Sequence, residues 1–272
     1  MAAMDLARRQ PGARVTAQGI TLNAVAFDAP WVWLAAGWRD LWAAPSVSFS
    51  YGALFAGLAA LLSVGLWRFG LESLILPLCG GFLLIGPILA MALYETSRRL
   101  ETGADVDLAD ITRAAMAKTS QISFFGAILG FIYVVWLQLA FLLFMLFLGT
   151  NQLPPAKDFL ATLLFEPFGL GLLVAGTCVG AALALLVFAI SVVSVPLLMT
   201  REVDAVTAIA TSVSAVRHNL KPMLLWAGLI AGFMSLGLAT LFLGLVLIFP
   251  LIGYASWHAF RGVVGPDPTS YL

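Results

Sequence analysis

The chain reads as long apolar walls separated by short polar breaks. Residues 49–67, 74–94, 122–148, 168–193 and 222–260 contain no Asp, Glu, Lys or Arg. About 20 apolar residues suffice for a helix to cross the hydrocarbon of a bilayer, so each wall predicts at least one crossing. The last wall is too long for one. As a single helix it would run ~58 Å at 1.5 Å per residue, against a core of ~30 Å. It reads instead as a hairpin: a crossing over 222–240, a turn near Gly244, and a crossing over 244–260. The expectation is an all-α fold, a polytopic transmembrane helix bundle of six crossings. Pro87 and Pro250 fall inside two of them, where each removes a backbone hydrogen bond and permits a kink.

The polar breaks carry a different periodicity. Between residues 195 and 222 the charges Arg201, Glu202, Asp204, Arg217 and Lys221 bring the chain to the surface. Val206, Ile209, Val213, Val216 and Leu220 recur there at helical spacing, with Thr207, Thr211, Ser214 and His218 on another face. This predicts an amphipathic helix over 203–219, lying on the membrane. Residues 105–118 predict a second, with Asp107 as N-cap and Leu108, Ile111, Ala115 and Met116 as its apolar stripe. Residues 30–44 predict a third. Trp31, Leu34, Ala35, Trp38, Leu41 and Trp42 share one face and Asp40 lies on the other. Tryptophan favours the headgroup level, where its ring is buried and its N–H meets water.

Composition agrees with this pattern. Apolar residues make up 61% of the chain and charged ones 10%, and the mean hydropathy is +1.00; a soluble domain is nearer a quarter charged. The formal net charge is zero, so no basic excess points to nucleic acid. Cys79 and Cys178 stand in apolar walls with no neighbour at metal or redox spacing, as small packing residues do. Arg8, Arg9 and Arg14 are not followed directly by an apolar run, so residues 1–29 read as a mobile cytoplasmic tail rather than a leader. Residues 30–264 form a single membrane domain and residues 265–272 a cytoplasmic C-terminal tail.

The cations then set the orientation. With six crossings, Arg8, Arg9, Arg14, Arg39, Arg98, Arg99, Arg113, Lys118, Arg201, Arg217, Lys221 and Arg261 fall on one side, and only Arg68 and Lys157 on the other. That asymmetry predicts both termini in the cytoplasm. An internal echo also runs through the chain. Residues 81–99 and 244–262 align without gaps at Gly81/Gly244, Leu84/Leu247, Ile85/Ile248, Pro87/Pro250, Ala92/Ala255 and Arg98/Arg261.

A further set of local sequences carries a resemblance. These are Gly37-Trp38-Arg39-Asp40-Leu41, Pro45, Tyr51-Gly52, Gly86-Pro87, Tyr94-Glu95 and Val195-Pro196-Leu197-Leu198. Asp204-Ala205, Asn219, Pro222-Met223-Leu224-Leu225-Trp226, Pro250-Leu251, Trp257-His258 and Arg261 complete it. In that order they resemble a family of uncharacterised bacterial integral membrane proteins, known as a domain of unknown function, over nearly all of the chain after about residue 30. The resemblance implies a multi-pass fold and the bacterial inner membrane, and no established activity. Relatives are sometimes labelled oxidase-like. A haem-copper core needs several histidines inside its helices, whereas this chain has only His218 and His258.

Other chemistries find little support in the residues. No ionisable side chain is expected at mid-membrane, where one would mark an ion path; Gln138 is the deepest strongly polar group. No His, Asp and Glu stand at the spacing of a catalytic set, and no glycine loop is placed to cradle phosphate. The pairs Gly126/Gly130, Gly176/Gly180 and Gly228/Gly232 have the spacing that lets helices touch closely. The expectation is a non-catalytic component, with no catalytic residues, cofactor or metal: an accessory, assembly or scaffold protein. Its partners are the lipid bilayer and a larger membrane protein complex, met through Trp31, Trp38, Trp42, Val206 and Val213. The alternative is a small-solute transporter or channel using the helices kinked at Pro87 and Pro250.

Overall fold

The computed structural model describes residues 15–149 and 161–265, apart from residues 18, 118, 119 and 162. It opens with two short strands, Val15–Ala17 (β1) and Ile20–Leu22 (β2), paired antiparallel. Gly19 supplies the positive φ of 78° that the turn between them needs. The segment 1–29, expected to be a mobile tail, is thus packed on the bundle in its described part. Leu22 is fully buried and bridges Val264, and the Asn23 amide donates to the Val263 carbonyl at 2.8 Å. Residues 1–14, most of the 150–167 connector and residues 266–272 lie outside the described residues.

The helices follow in the expected order. They are Ala29–Ala43 (α1), Pro45–Arg68 (α2), Ile75–Leu89 (α3), Met91–Thr102 (α4), Leu108–Ala117 (α5) and Ser120–Leu148 (α6). Pro167–Ser191 (α7), Ser194–Thr200 (α8), Ala205–His218 (α9), Leu220–Ala239 (α10) and Leu245–Val263 (α11) follow among the described residues. Pro45 begins α2 at its first position, where the missing N–H has no partner to lose. Pro87 lies inside α3 and deprives the preceding turn of a bond, and the helix breaks three residues later at Ala90 before resuming as α4. Its echo behaves otherwise: α11 runs without interruption through Pro250 and Gly253.

Among the described residues, five stretches are long and apolar enough to cross a membrane: Pro45–Arg68, Ile75–Thr102, Ser120–Leu148, Pro167–Thr200 and Leu220–Ala239. The sixth expected crossing, α11, is a helix of 19 residues but is not of that kind. Its second half carries Tyr254, Ser256, His258 and Arg261, and nearly every side chain along it is buried. It occupies the centre of the bundle, packed chiefly against α1 and α2, and also against α4 and α10.

Glycine makes that central packing possible. A Cβ on Gly37 would stand 2.6 Å from the Ala255 amide nitrogen, and one on Gly52 would collide with the Val246 carbonyl. Helices α1 and α2 thus press backbone to backbone on α11. The pairs expected to do this do something else. Gly126, Gly130, Gly176, Gly228 and Gly232 have open space where a Cβ would go; only Gly180 of the set meets a neighbour, the Trp136 ring.

The three surface helices form as α1, α5 and α9, but they lean on the bundle. The buried face of α9 is Ala205, Ala208, Thr211, Ser212, Ala215 and Val216, small residues that permit a close approach. The Ser212 hydroxyl donates to the Ala189 carbonyl at 2.8 Å. Residues 195–199, expected within the polar break, are buried in α8. The chain first surfaces at Arg201–Asp204. In α5, Asp107 caps as expected by accepting from the Ala109 amide at 3.0 Å, and Ile111 is fully buried. The side chains of Ala115 and Met116 lie outside what is described.

Candidate functional site

The most concentrated chemistry sits at one end of the bundle, where α1, α4 and α11 meet. Asp40, expected on the face of α1 opposite the tryptophans, lies there and points inward. Its Oδ2 accepts from the Ser97 hydroxyl at 2.6 Å and lies 2.8 Å from His258 Nε2. His258 Nδ1 is 3.8 Å from Glu101, whose other oxygen is 3.2 Å from Arg261 Nε. Beside this line, Glu95 is buried rather than in water. Arg98 grips it with two bonds of 2.7 Å and Arg99 with one of 3.0 Å. Deeper in, the Tyr254 and Ser48 hydroxyls meet at 2.9 Å.

An acid, a histidine and a serine, which do not stand together in the sequence, are therefore brought together from three helices. Sequence spacing could not reveal it, because 218 positions separate Asp40 from His258. The available signal was that both belong to the local sequences carrying the family resemblance. The order of contacts is not that of a nucleophilic triad: the Ser97 hydroxyl faces the carboxylate, and no imidazole faces it. What the arrangement does is fasten helices. A half-buried carboxylate that accepts two bonds satisfies itself and both donors. Among the described residues, no three His, Cys, Asp or Glu side chains converge in a way that could hold a metal ion.

The expected partner surface divides. Trp31, Trp38 and Trp42 are all exposed, at 54%, 44% and 54%. Trp38 and Trp42 meet edge to face at 5.8 Å, and Trp42 meets Phe49 of α2 at 5.7 Å. An aromatic strip thus runs outward along α1 and across the break at Ala44. Leu34 and Leu41, assigned to the same face, are buried, and Trp33 and Gly37 join them on the packed side. Val206 is exposed at 68% and Val213 is half-buried, both turned away from the face on which α9 docks.

The third feature is a cavity of about 370 Å³ beside the Pro87 kink, enclosed by α3, α4, α7, α10 and α11. Such a volume lies within the ~300–1,000 Å³ range of small-molecule sites. Its far end is lined by Phe82, Phe249 and Met234, and the end nearer Asp40 by Tyr94, Ser191 and Ser256. No charged side chain lines it. Gln138, expected as the deepest polar group, is exposed on the outside of α6 and takes no part.

Residues 75–200, from α3 through α8, match the family described as Predicted integral membrane protein (DUF2189). No curated protein and no solved structure matches the chain.

Proposed function

We propose that this integral membrane protein is a non-catalytic accessory, assembly or scaffold component, and that its partner is a membrane helix of a larger complex. The observation that carries this reading is the strip Trp31–Trp38–Trp42 on α1. The strip faces outward, while the opposite side of α1 is fixed to α11 by the Gly37 contact and the Asp40–His258 bond. Exposed aromatics on a rigid support lose little freedom when covered, and tryptophan is prominent among residues that dominate interfaces. The polar groups of the cluster are engaged with one another, as in a fastening. The distribution of Lys and Arg supports cytoplasmic termini in a bacterial inner membrane.

The test is purification of the full chain from its native membrane in mild detergent, with identification of what accompanies it. The variant Trp31→Ala/Trp38→Ala/Trp42→Ala is expected to reduce recovery of a stoichiometric partner about tenfold or more, with its melting temperature unchanged. A wild-type protein that emerges alone would overturn the reading. A second reading, passage of a small solute, is favoured by the cavity at Pro87. Uptake into vesicles reconstituted with the lone protein would establish it in place of the first.

A further inference from the structure

The cavity has three properties that together describe a ligand. Its walls are apolar for most of their length. The only polar side chains that line it, those of Tyr94, Ser191 and Ser256, gather at one end, where the Ser256 hydroxyl donates to the Ile252 carbonyl at 2.8 Å. Its mouth is lateral: Leu185 of α7 and Leu224 of α10 line the cavity and are also 46% and 48% exposed on the outer surface of the bundle. That surface belongs to membrane-crossing stretches, so what enters between Leu185 and Leu224 comes from the hydrocarbon.

The absence of charge selects further. A carboxylate, phosphate or ammonium drawn into this cavity would find no counter-ion among its lining residues, and burying an unpaired charge is costly. A hydroxyl or ester carbonyl would not bear that cost, because the Tyr94 and Ser191 hydroxyls can donate to it and the Ser256 hydroxyl, which donates to Ile252, can still accept from it. We infer that the cavity beside Pro87 binds a neutral, single-chain lipid of the bilayer, such as a monoacylglycerol. Its tail lies along Phe82, Phe249 and Met234, and its head meets the hydroxyls of Tyr94, Ser191 and Ser256. Gly86 and Gly228 line opposite walls, and at each the position of a Cβ is open space, so these glycines leave room that a larger side chain would fill. The inference does not depend on a protein partner.

The test is native mass spectrometry of the delipidated full chain titrated with monoolein. One molecule is expected to bind saturably. Gly228→Leu, which fills the cavity without striking backbone, is expected to weaken binding at least about tenfold. Should that variant fail to fold, Ala184→Leu narrows the same cavity from α7. Tyr94→Phe/Ser256→Ala is expected to weaken monoolein binding about three- to tenfold, as loss of a hydrogen bond to the head would, and to leave binding of a headless long-chain alkane unchanged. Gly57→Leu, on the exposed side of α2, serves as the control that retains binding. The inference is overturned if monoolein binds without saturation, if the cavity-filling variants bind like wild type, or if oleate or a short-chain quinone binds and monoolein does not.

Discussion

Asp40 shows how much one side chain can hold together. On a helical wheel it is the polar residue of a tryptophan-rich segment, and water would be its natural neighbour. In the fold its carboxylate joins α1 to α4 through Ser97 and to α11 through His258. Replacing Asp40 with Ala strands both donors in a site where each is largely screened from solvent. The expected loss is about 1–3 kcal/mol, read as a lower unfolding midpoint in detergent. Asp40→Asn keeps an acceptor and is expected to lose less. Equal midpoints for wild type and Asp40→Ala would mean that the contact is incidental. Gly37 and Gly52 make the complementary point. Both were legible as local sequence, yet neither spacing nor hydropathy showed that each marks a backbone crossing with α11.

At the scale of elements, caps were readable in part: Asp107 stood out as one, whereas Asp204 read only as a charge that brings the chain to the surface. It opens α9 by accepting from the Thr207 amide at 2.9 Å and from the Thr207 hydroxyl at 2.7 Å. These bonds favour the charged form and hold its carboxyl below the ordinary value of 3.8. A lowered folded pKa gives a contribution that is present above the unfolded value and lost as pH falls through the folded one. Asp204→Ala is therefore expected to speed amide exchange in the first turn of α9 at neutral pH. The difference from wild type should shrink below about pH 3.8; one that persists unchanged in acid would assign it to something other than the charge. The direction faced by α9 was not legible. Its valines marked a face for the membrane or a partner; that the bundle receives the alanine and serine side, whose small residues permit a close approach, was not readable.

For the whole molecule, hydropathy identified the membrane-crossing stretches and the hairpin at 240–244, but not the arrangement around them. A wall of apolar residues reads alike whether it meets lipid or protein, so the central position of α11 was hidden. Six crossings, with α11 as the sixth, are the expectation from the sequence, and that expectation makes a topological prediction. With Cys79 and Cys178 replaced by Ala, single cysteines at Gly103 and Gly265 should react with a membrane-impermeant thiol reagent from one side. Cysteines at Phe69 and Leu241 should react from the other. Labelling of Leu241→Cys from the Gly103 side would mean that α10 and α11 turn back within the bilayer.

The position of α11 also bears on how the protein comes into being. A ribosome delivers α1 and α2 to the membrane long before α11, yet the surfaces of Gly37, Gly52 and Asp40 have their partner only there. Until then these helices share a bilayer without the element that aligns them. Many of the contacts that define the fold join positions far apart in the chain, and contacts of that kind form slowly. The pairing of β2 with Val264 is later still, since both of its members must already be in place. During synthesis, the half-built protein is a loose set of spans, and it becomes one object when its latest described helix threads the middle.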